Sequence, residues 1–161
     1  MPKINSTNRF FQVEISKVYF ALAIADKENL ARAEITAAKD LTDEIAGISG
    51  FGVSSGTIDT PDLGNRFVKK IPGRINTEES SLTFWADREG DDVRKDLPRG
   101  TKGYLIFCDQ GDAAALPADI FEVEVTSVSK VRSVDEQGFQ ITVNFAITGV
   151  PAEDVALPAA A

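Results

Sequence analysis

The stretch that decides the fold is Phe139-Gln-Ile-Thr-Val-Asn-Phe-Ala-Ile147, in which five apolar side chains alternate with small or polar ones. A period of two is typical of a strand with one buried face. The preceding run from Phe121 alternates in the same way, and its phase shifts at Ser127, which predicts a β-bulge. Residues 135–138 join the two runs, so we expect a long antiparallel hairpin in which Gly138 takes a left-handed turn position.

Similar patterns upstream predict further strands. Residues 11–24 alternate with one change of phase, residues 81–86 alternate throughout, and residues 33–37 are a weaker candidate. Residues 104–108 are apolar without a break, which is typical of a central strand covered on both faces. Most of the chain therefore reads as β-structure.

Only one segment has the features of a helix. Residues 90–97 open with acids and carry bases later, which matches the helix dipole, and Val93 and Leu97 lie one turn apart before Pro98. The single apolar stripe favours a helix that lies against a sheet. The predicted fold is mainly β, a sandwich or partly open barrel with one short flanking helix.

Two stretches are predicted to be irregular. Gly and Pro interrupt every pattern over residues 52–73, which predicts a long loop of the kind that is commonly a functional or partner surface. The Pro- and Ala-rich residues 149–161 predict a mobile C-terminal tail. At 161 residues the chain suits one domain spanning residues 1–161.

The composition excludes several classes of function. The chain has no His and one Cys, so it has no His general base, no His or multi-Cys metal site and no intrachain disulfide. Its net charge of −8 argues against a protein that binds nucleic acid tightly. No apolar run approaches the roughly 20 residues that span a bilayer, and we expect neither membrane binding nor secretion. Since Ser127-x-x-Lys130 lies in a predicted strand, no catalytic constellation remains, and we predict no enzyme and no cofactor.

Charge is arranged in blocks. The predicted loop ends in a basic segment without acids, whereas residues 40–62 and 103–129 hold acids without bases. Solvated faces are one interpretation. The other is a self-complementary contact between identical chains, which gives rings or open filaments when it is heterologous. Trp85 falls on the polar face of its strand, which favours either an interface or packing beneath the helix.

Whole segments carry a resemblance to a known family. They are Asp40-Leu-Thr-Asp-Glu-Ile-Ala-Gly-Ile-Ser-Gly-Phe51, Thr57-Ile-Asp-Thr-Pro-Asp-Leu-Gly-Asn-Arg-Phe-Val-Lys-Lys-Ile-Pro-Gly73, and residues 78–87, 91–100 and 139–154. These resemble the major tail tube proteins of long-tailed (siphovirus-type) bacteriophages, particularly those that infect actinobacteria. The similarity covers roughly residues 33–157.

The resemblance implies a structural subunit with a β-sandwich and a flanking helix. In that family six copies form a ring, strands continue between subunits into a lumen-lining barrel, and stacked rings conduct double-stranded DNA. The family's long loop commonly reaches a neighbouring ring or subunit and corresponds here to about residues 54–72. The candidate interface residues are Thr57, Ile58, Asp59, Asp62, Arg66, Phe67, Lys69, Lys70, Arg74 and Trp85.

The family also has an acidic lumen, where like charge keeps DNA from adhering to the wall. Glu122 and Glu124 are the candidates here. The implied partners are further copies of the chain and tape-measure, tail-tip and tail-terminator proteins, with DNA only as cargo, in a virion tail assembled in the host cytoplasm. The alternatives are a tail terminator or adaptor ring, the inner tube of a contractile system, or a monomeric cytoplasmic β-domain that binds a ligand or partner.

Overall fold

The computed structural model describes residues 1–160, and most of its regular structure is β-strand. In chain order the elements are β1 (Lys17–Ala21), α1 (Arg32–Ala37), β2 (Lys39–Asp40), a 3₁₀ turn (Thr42–Glu44), β3 (Ile45–Ser49), β4 (Val53–Thr60), β5 (Lys69–Thr77), β6 (Ser80–Trp85), α2 (Val93–Asp96), β7 (Lys102–Cys108), β8 (Pro117–Val131), β9 (Gln140–Ile147) and β10 (Ala152–Ala156). The strands form one eight-stranded sheet and a separate two-stranded sheet of β4 and β5. The prediction of a mainly β fold is confirmed.

The chain divides into two units, and the first comprises residues 1–43, 103–121 and the segment from 151 onward. Its strands lie in the order β2-β1-β7-β8, and β10 also pairs with β8. The run Tyr104–Cys108 is buried from Leu105 onward, which confirms the predicted central strand. Its core combines Ile106 and Cys108 with residues from the other elements, namely Ala21, Ile24, Leu30, Ile35, Ala118, Ile120, Val155 and Leu157.

Asp112 fixes the segment between β7 and β8 within this unit. Its two carboxylate oxygens accept hydrogen bonds from the Arg32 guanidinium at 2.5 and 2.9 Å, and one also accepts from the Tyr19 hydroxyl at 3.2 Å. The hydrogen bonds from Arg32 hold the pKa of Asp112 below its ordinary value, and burial raises the pKa of Tyr19. Charge-assisted bidentate bonds of this kind are among the stronger polar contacts in proteins.

The second unit comprises residues 44–102 and 122–150, and its strands lie in the order β8-β9-β6-β3. On β9 the alternating residues Ile141, Val143 and Phe145 are buried, as the period of two predicts. The register of β8 against β9 shifts between Val125 and Ser127, which confirms the predicted bulge. Leu82 and Phe84 of β6 and Leu97 after α2 are fully buried in this unit.

The helices differ in part from prediction. The helix expected over residues 90–97 forms, but it is confined to Val93–Asp96. Residues 33–37, taken as a weak strand, belong instead to the additional helix α1. Its first turn is held by Glu34, whose carboxylate accepts from the backbone N–H groups of Ala25 and Ala31 at 2.8 and 2.9 Å. Alanine and glutamate favour helix, and here that preference prevails over the apparent alternation.

Both ends of the chain also depart from the predictions. Only residues 17–21 of the strand predicted over 11–24 form, while Phe11 and Val13 are 77% and 62% exposed. The predicted mobile tail at residues 149–161 contains β10, and Val155 and Leu157 in this segment are buried in the first unit. This part of the tail is therefore packed, and its last residue, Ala161, lies outside the described residues.

Candidate assembly interface

The loop predicted over residues 52–73 is wrong, because this region is the β4–β5 hairpin. The two strands pair only with each other, and Ile58 lies opposite Ile71 while Asp59 lies opposite Lys70. A register shift between Ser55 and Thr57 accommodates the glycines that had suggested irregular backbone. The eight residues of β4 extend about 26 Å at about 3.3 Å per residue.

The hairpin is exposed on both faces. Ile58 and Ile71 share one face as a cross-strand pair and are 52% and 49% exposed. Lys70 and Asp59 form an ion pair at 3.1 Å in which both side chains are more than half exposed. A lone two-stranded hairpin is marginally stable in water. An extended hairpin with open edges and exposed apolar residues on β-strands has the character of a pairing surface.

The tip of the hairpin spans residues 61–68 and is ordered by its own side chains. The Asp62 carboxylate accepts from the N–H of Gly64 at 2.8 Å, and the Asn65 side chain accepts from the N–H of Phe67 at 2.9 Å. Phe67 is nevertheless 73% exposed. Arg66 at the tip is also exposed and makes no ion pair with any described residue.

The root of the hairpin is anchored in the second unit. The Phe51 N–H donates to Ser80 Oγ at 3.0 Å, and the Phe51 ring lies 6.2 Å from that of Phe145. Gly50 adopts a φ of +82°, and a Cβ there would collide with the Glu79 carbonyl. Sequence reasoning missed this anchor, although Gly50-Phe51-Gly52 is its signal: an apolar residue held between two glycines at the start of a strand.

The structure brings nine of the ten predicted interface residues onto the hairpin. They are Thr57, Ile58 and Asp59 on β4, Asp62, Arg66 and Phe67 at the tip, and Lys69, Lys70 and Arg74 on β5. Trp85 lies apart from them, at the far end of β6.

Trp85 is 42% exposed and lies opposite Gln140, which in turn lies opposite Val131. Directly paired residues share a sheet face, so Trp85 and Val131 flank Gln140. Gly138 does not adopt the predicted left-handed conformation. Its role is steric: a Cβ at this position would occupy the space of Trp85 Cζ3. We call Trp85, Val131 and Gly138 the tryptophan patch.

Glu122 and Glu124 lie on the partly exposed face of β8, between buried residues. Glu124 lies opposite Ala146, and beyond the bulge Ser127 lies opposite Asn144, which donates to Ser127 Oγ at 2.7 Å. From Glu124 this face of the sheet continues through uncharged polar side chains as far as Gln140, where the tryptophan patch begins. Lys102 approaches Glu124 at 3.9 Å.

A polar groove of about 570 Å³ lies at the hairpin root and is lined mainly by hydroxyl and amide side chains, with Glu78 and Glu79. Among residues 1–160 no group of three or more acidic or cysteine side chains is arranged to hold a metal. Cys108 is fully buried, and burial raises the pKa of its thiol to about 12, which removes it as a nucleophile at neutral pH.

None of the helices in the described part of the chain is long and apolar enough to cross a membrane. The exposed hairpin and the tryptophan patch are therefore the candidate surfaces for contacts with other molecules.

A search of curated proteins found no matching sequence. The fold is similar to a sheath/tube terminator of the PVC extracellular contractile injection system, with a TM-score of 0.64, 11% identity and coverage of 91% of this chain and 99% of that chain. It is also similar to the SPP1 tail tube protein, with a TM-score of 0.55, 14% identity and coverage of 90% and 79%.

A third similar structure and a family model also match this chain, and the family is one of structural, non-enzymatic proteins. The structure, from the baseplate of the anti-feeding prophage, gives a TM-score of 0.61 at 10% identity over 92% of this chain and 97% of that chain. At such identities these likenesses show the fold alone. A family model described as phage tail tube protein, however, matches residues 4–160. The chain therefore belongs to the phage tail tube protein family.

Proposed function

We propose that this chain is the repeating subunit of a tail tube, in which copies close into six-membered rings and the rings stack into a channel for double-stranded DNA. The observation that carries the proposal is the β4–β5 hairpin, whose apolar and basic side chains are exposed on both faces. A second copy of the chain would bury them. The virion tail is the site of action, with tape-measure, tail-tip and tail-terminator proteins as further partners and assembly in the host cytoplasm.

Negative-stain electron microscopy of the concentrated protein, together with its mass in solution, tests this proposal. Hollow tubes with six-fold rings are the expected result. A second candidate is a terminator or adaptor ring, favoured by the likeness to the sheath/tube terminator. Single rings that do not stack would support that candidate, and a strictly monomeric protein, even with tail-initiation components added, would support a monomeric binding domain.

The basic residues of β5 are expected to contribute to ring stacking. Reversal of Lys69 and Lys70 to Glu should lower tube yield while leaving the subunit folded, because both side chains are exposed and the one ion pair that is lost, between Lys70 and Asp59, lies at the surface of the hairpin. Exposed ion pairs are screened by salt, so wild-type stacking should also weaken as ionic strength rises. Lys3→Glu with Arg9→Glu is the matched control, since it makes the same change in net charge on the exposed N-terminal segment. Unchanged tubes from the hairpin variant would refute this assignment.

We further propose that Glu122 and Glu124 face the lumen. Their support is their position on the partly exposed face of β8, where the neighbouring Ser127 and Asn144 are uncharged, so that the two carboxylates would present negative charge to passing DNA. Tubes of the Glu122→Lys/Glu124→Lys variant should bind a short linear duplex at low salt, whereas wild-type tubes should not. A closed circular plasmid cannot enter a narrow lumen, so equal binding of plasmid and linear duplex would place the two residues on the outer wall.

A further inference from the structure

We infer that the tryptophan patch is the acceptor on which the hairpin tip of a second copy docks, an inference that rests on the self-assembly proposed above. Tryptophan is the side chain most typical of interface hot spots. In this subunit its ring lies against the bare backbone of Gly138 and remains 42% exposed. Val131, on the same face, is 37% exposed, so the patch presents a shallow apolar surface.

The topology places donor and acceptor at opposite ends of one strand. β6 begins at Ser80, which anchors the hairpin root, and ends at Trp85. A contact between opposite ends of the same subunit is heterologous, because the surface that docks differs from the surface that receives. Such a contact leaves a free hairpin and a free patch on every pair, so further copies can be added in the same way, either around a ring or along a stack.

The chemistry of the two surfaces is complementary. The tip offers exposed Leu63 and Phe67 together with Arg66, and Lys69 follows at the start of β5. Neither Arg66 nor Lys69 makes an ion pair within residues 1–160. The patch is bordered by two acidic segments. In residues 86–91 Asp87 and Glu89 outnumber Arg88, with Asp91 already paired with Lys95, and in the β8–β9 turn Asp135 and Glu136 outnumber Arg132. An apolar centre with an opposite-charge rim is the usual arrangement of a specific protein contact.

Trp85 is the only tryptophan in the chain, so its fluorescence reports directly on the patch of the unmodified protein. On assembly we expect the emission to shift to shorter wavelength and acrylamide quenching to fall severalfold, because docking removes the ring from water. Tubes in which Trp85 is quenched as readily as in the monomer would overturn the inference while leaving the tube function intact. A chain that never assembles would overturn both.

Crosslinking identifies what covers the patch. The variant Leu63→Cys/Val131→Cys places one thiol on each surface, and the native Cys108 is fully buried. With a short bis-maleimide, a head-to-tail contact should give a ladder of covalent multimers under denaturing electrophoresis. Leu63→Cys/Leu22→Cys is the control, because Leu22 is 75% exposed at a position outside both surfaces. Shielded Trp85 with no ladder, or an equal ladder from the control, would show that another surface covers the patch.

An exchange of charges between the two surfaces is the third test of the inferred contact. Arg66→Glu/Lys69→Glu should raise the critical concentration for assembly about tenfold, because both ion pairs with the acidic border of the patch would be lost. Adding Glu89→Lys/Glu136→Lys to the same chain should restore assembly. Failure of the second pair to rescue the first would contradict the assigned acceptor.

Discussion

Asp92 begins helix α2 and holds the loop beside Trp85, and its loss should have a measurable cost. Its side chain is 2% exposed. One carboxylate oxygen accepts from the Arg94 N–H at 3.1 Å and from Arg94 Nε at 2.8 Å, and the other accepts from Arg94 Nη2 at 2.7 Å and the Asp87 N–H at 2.9 Å. These bonds, above all those from the Arg94 side chain, lower the pKa of Asp92 from its ordinary 3.8 to about 2.

The size of the expected loss of folding stability follows from that pKa. At 1.36 kcal/mol per pKa unit, the lowering from 3.8 to about 2 corresponds to about 2 kcal/mol of folding free energy in favour of the ionised form. Because the folded-state pKa is the lower one, this stability is present above about pH 4 and is lost as the pH falls toward 2. For Asp92→Asn we expect the urea midpoint at pH 7 to fall by about 1 M, with an m-value of about 2 kcal/mol/M.

The neighbouring Asp91 is the matched control. Its side chain is 83% exposed and its one ion pair, with Lys95 at 3.0 Å, is a surface pair four residues apart on the chain. Such a pair contributes at most about 0.5 kcal/mol, so Asp91→Asn should unfold at nearly the wild-type urea concentration. The reasoning is refuted if both variants lose the same stability at pH 7. It is also refuted if the gap between wild type and Asp92→Asn does not shrink at pH 2.

Three further predictions concern the packing. Ending the chain after Val150 removes Val155 and Leu157 from the core and should cost about 3–6 kcal/mol, measured by urea unfolding, whereas ending it after Pro158 should cost nothing measurable. Gly103→Ala would place a Cβ 2.5 Å from Phe20 Cζ and should lower stability by about 1–3 kcal/mol in thermal unfolding, while Gly47→Ala, with its nearest contact at 3.7 Å, serves as the control. The Cys108 thiol should react with a thiol reagent at pH 8 only as fast as the protein unfolds, and rapid reaction of the native protein would contradict its burial.

The predicted elements that formed are those whose contacts lie within the chain. The β8–β9 pair was predictable because burial of one face imposes a period of two, and a bulge shifts that period visibly at Ser127. Helix α1 was missed because Ala31 has no side-chain cap to signal its start, and Glu34 supplies the bonds from within the helix. The packed end of the chain was missed because Val155 and Leu157 stand among Ala and Pro, and two buried residues are too few to show a period.

Family membership and the tail tube role follow from a match over residues 4–160, and they agree with the resemblance read from residues 33–157. The particular likeness to phages that infect actinobacteria stays an interpretation, and the six-fold symmetry and the single domain over residues 1–161 stay predictions.

The hairpin shows why an interface is harder to derive from sequence than a core. Each buried residue of β9 packs against other residues of the same chain. Because only one face of the strand is buried, apolar residues stand at every second position of its sequence. In β4 and β5 the apolar residues Ile58 and Ile71 lie opposite each other, and both side chains are about half exposed to water in the single subunit. No alternation marks either face as the one to bury. The glycines and prolines of residues 52–73 marked this segment as unusual but led to the wrong prediction of irregular backbone, and the block of bases was the signal that indicated a contact with another copy of the chain. A strand whose apolar residues are not covered by the core of its own subunit therefore forms one side of an interface, and the other side must be sought on another molecule.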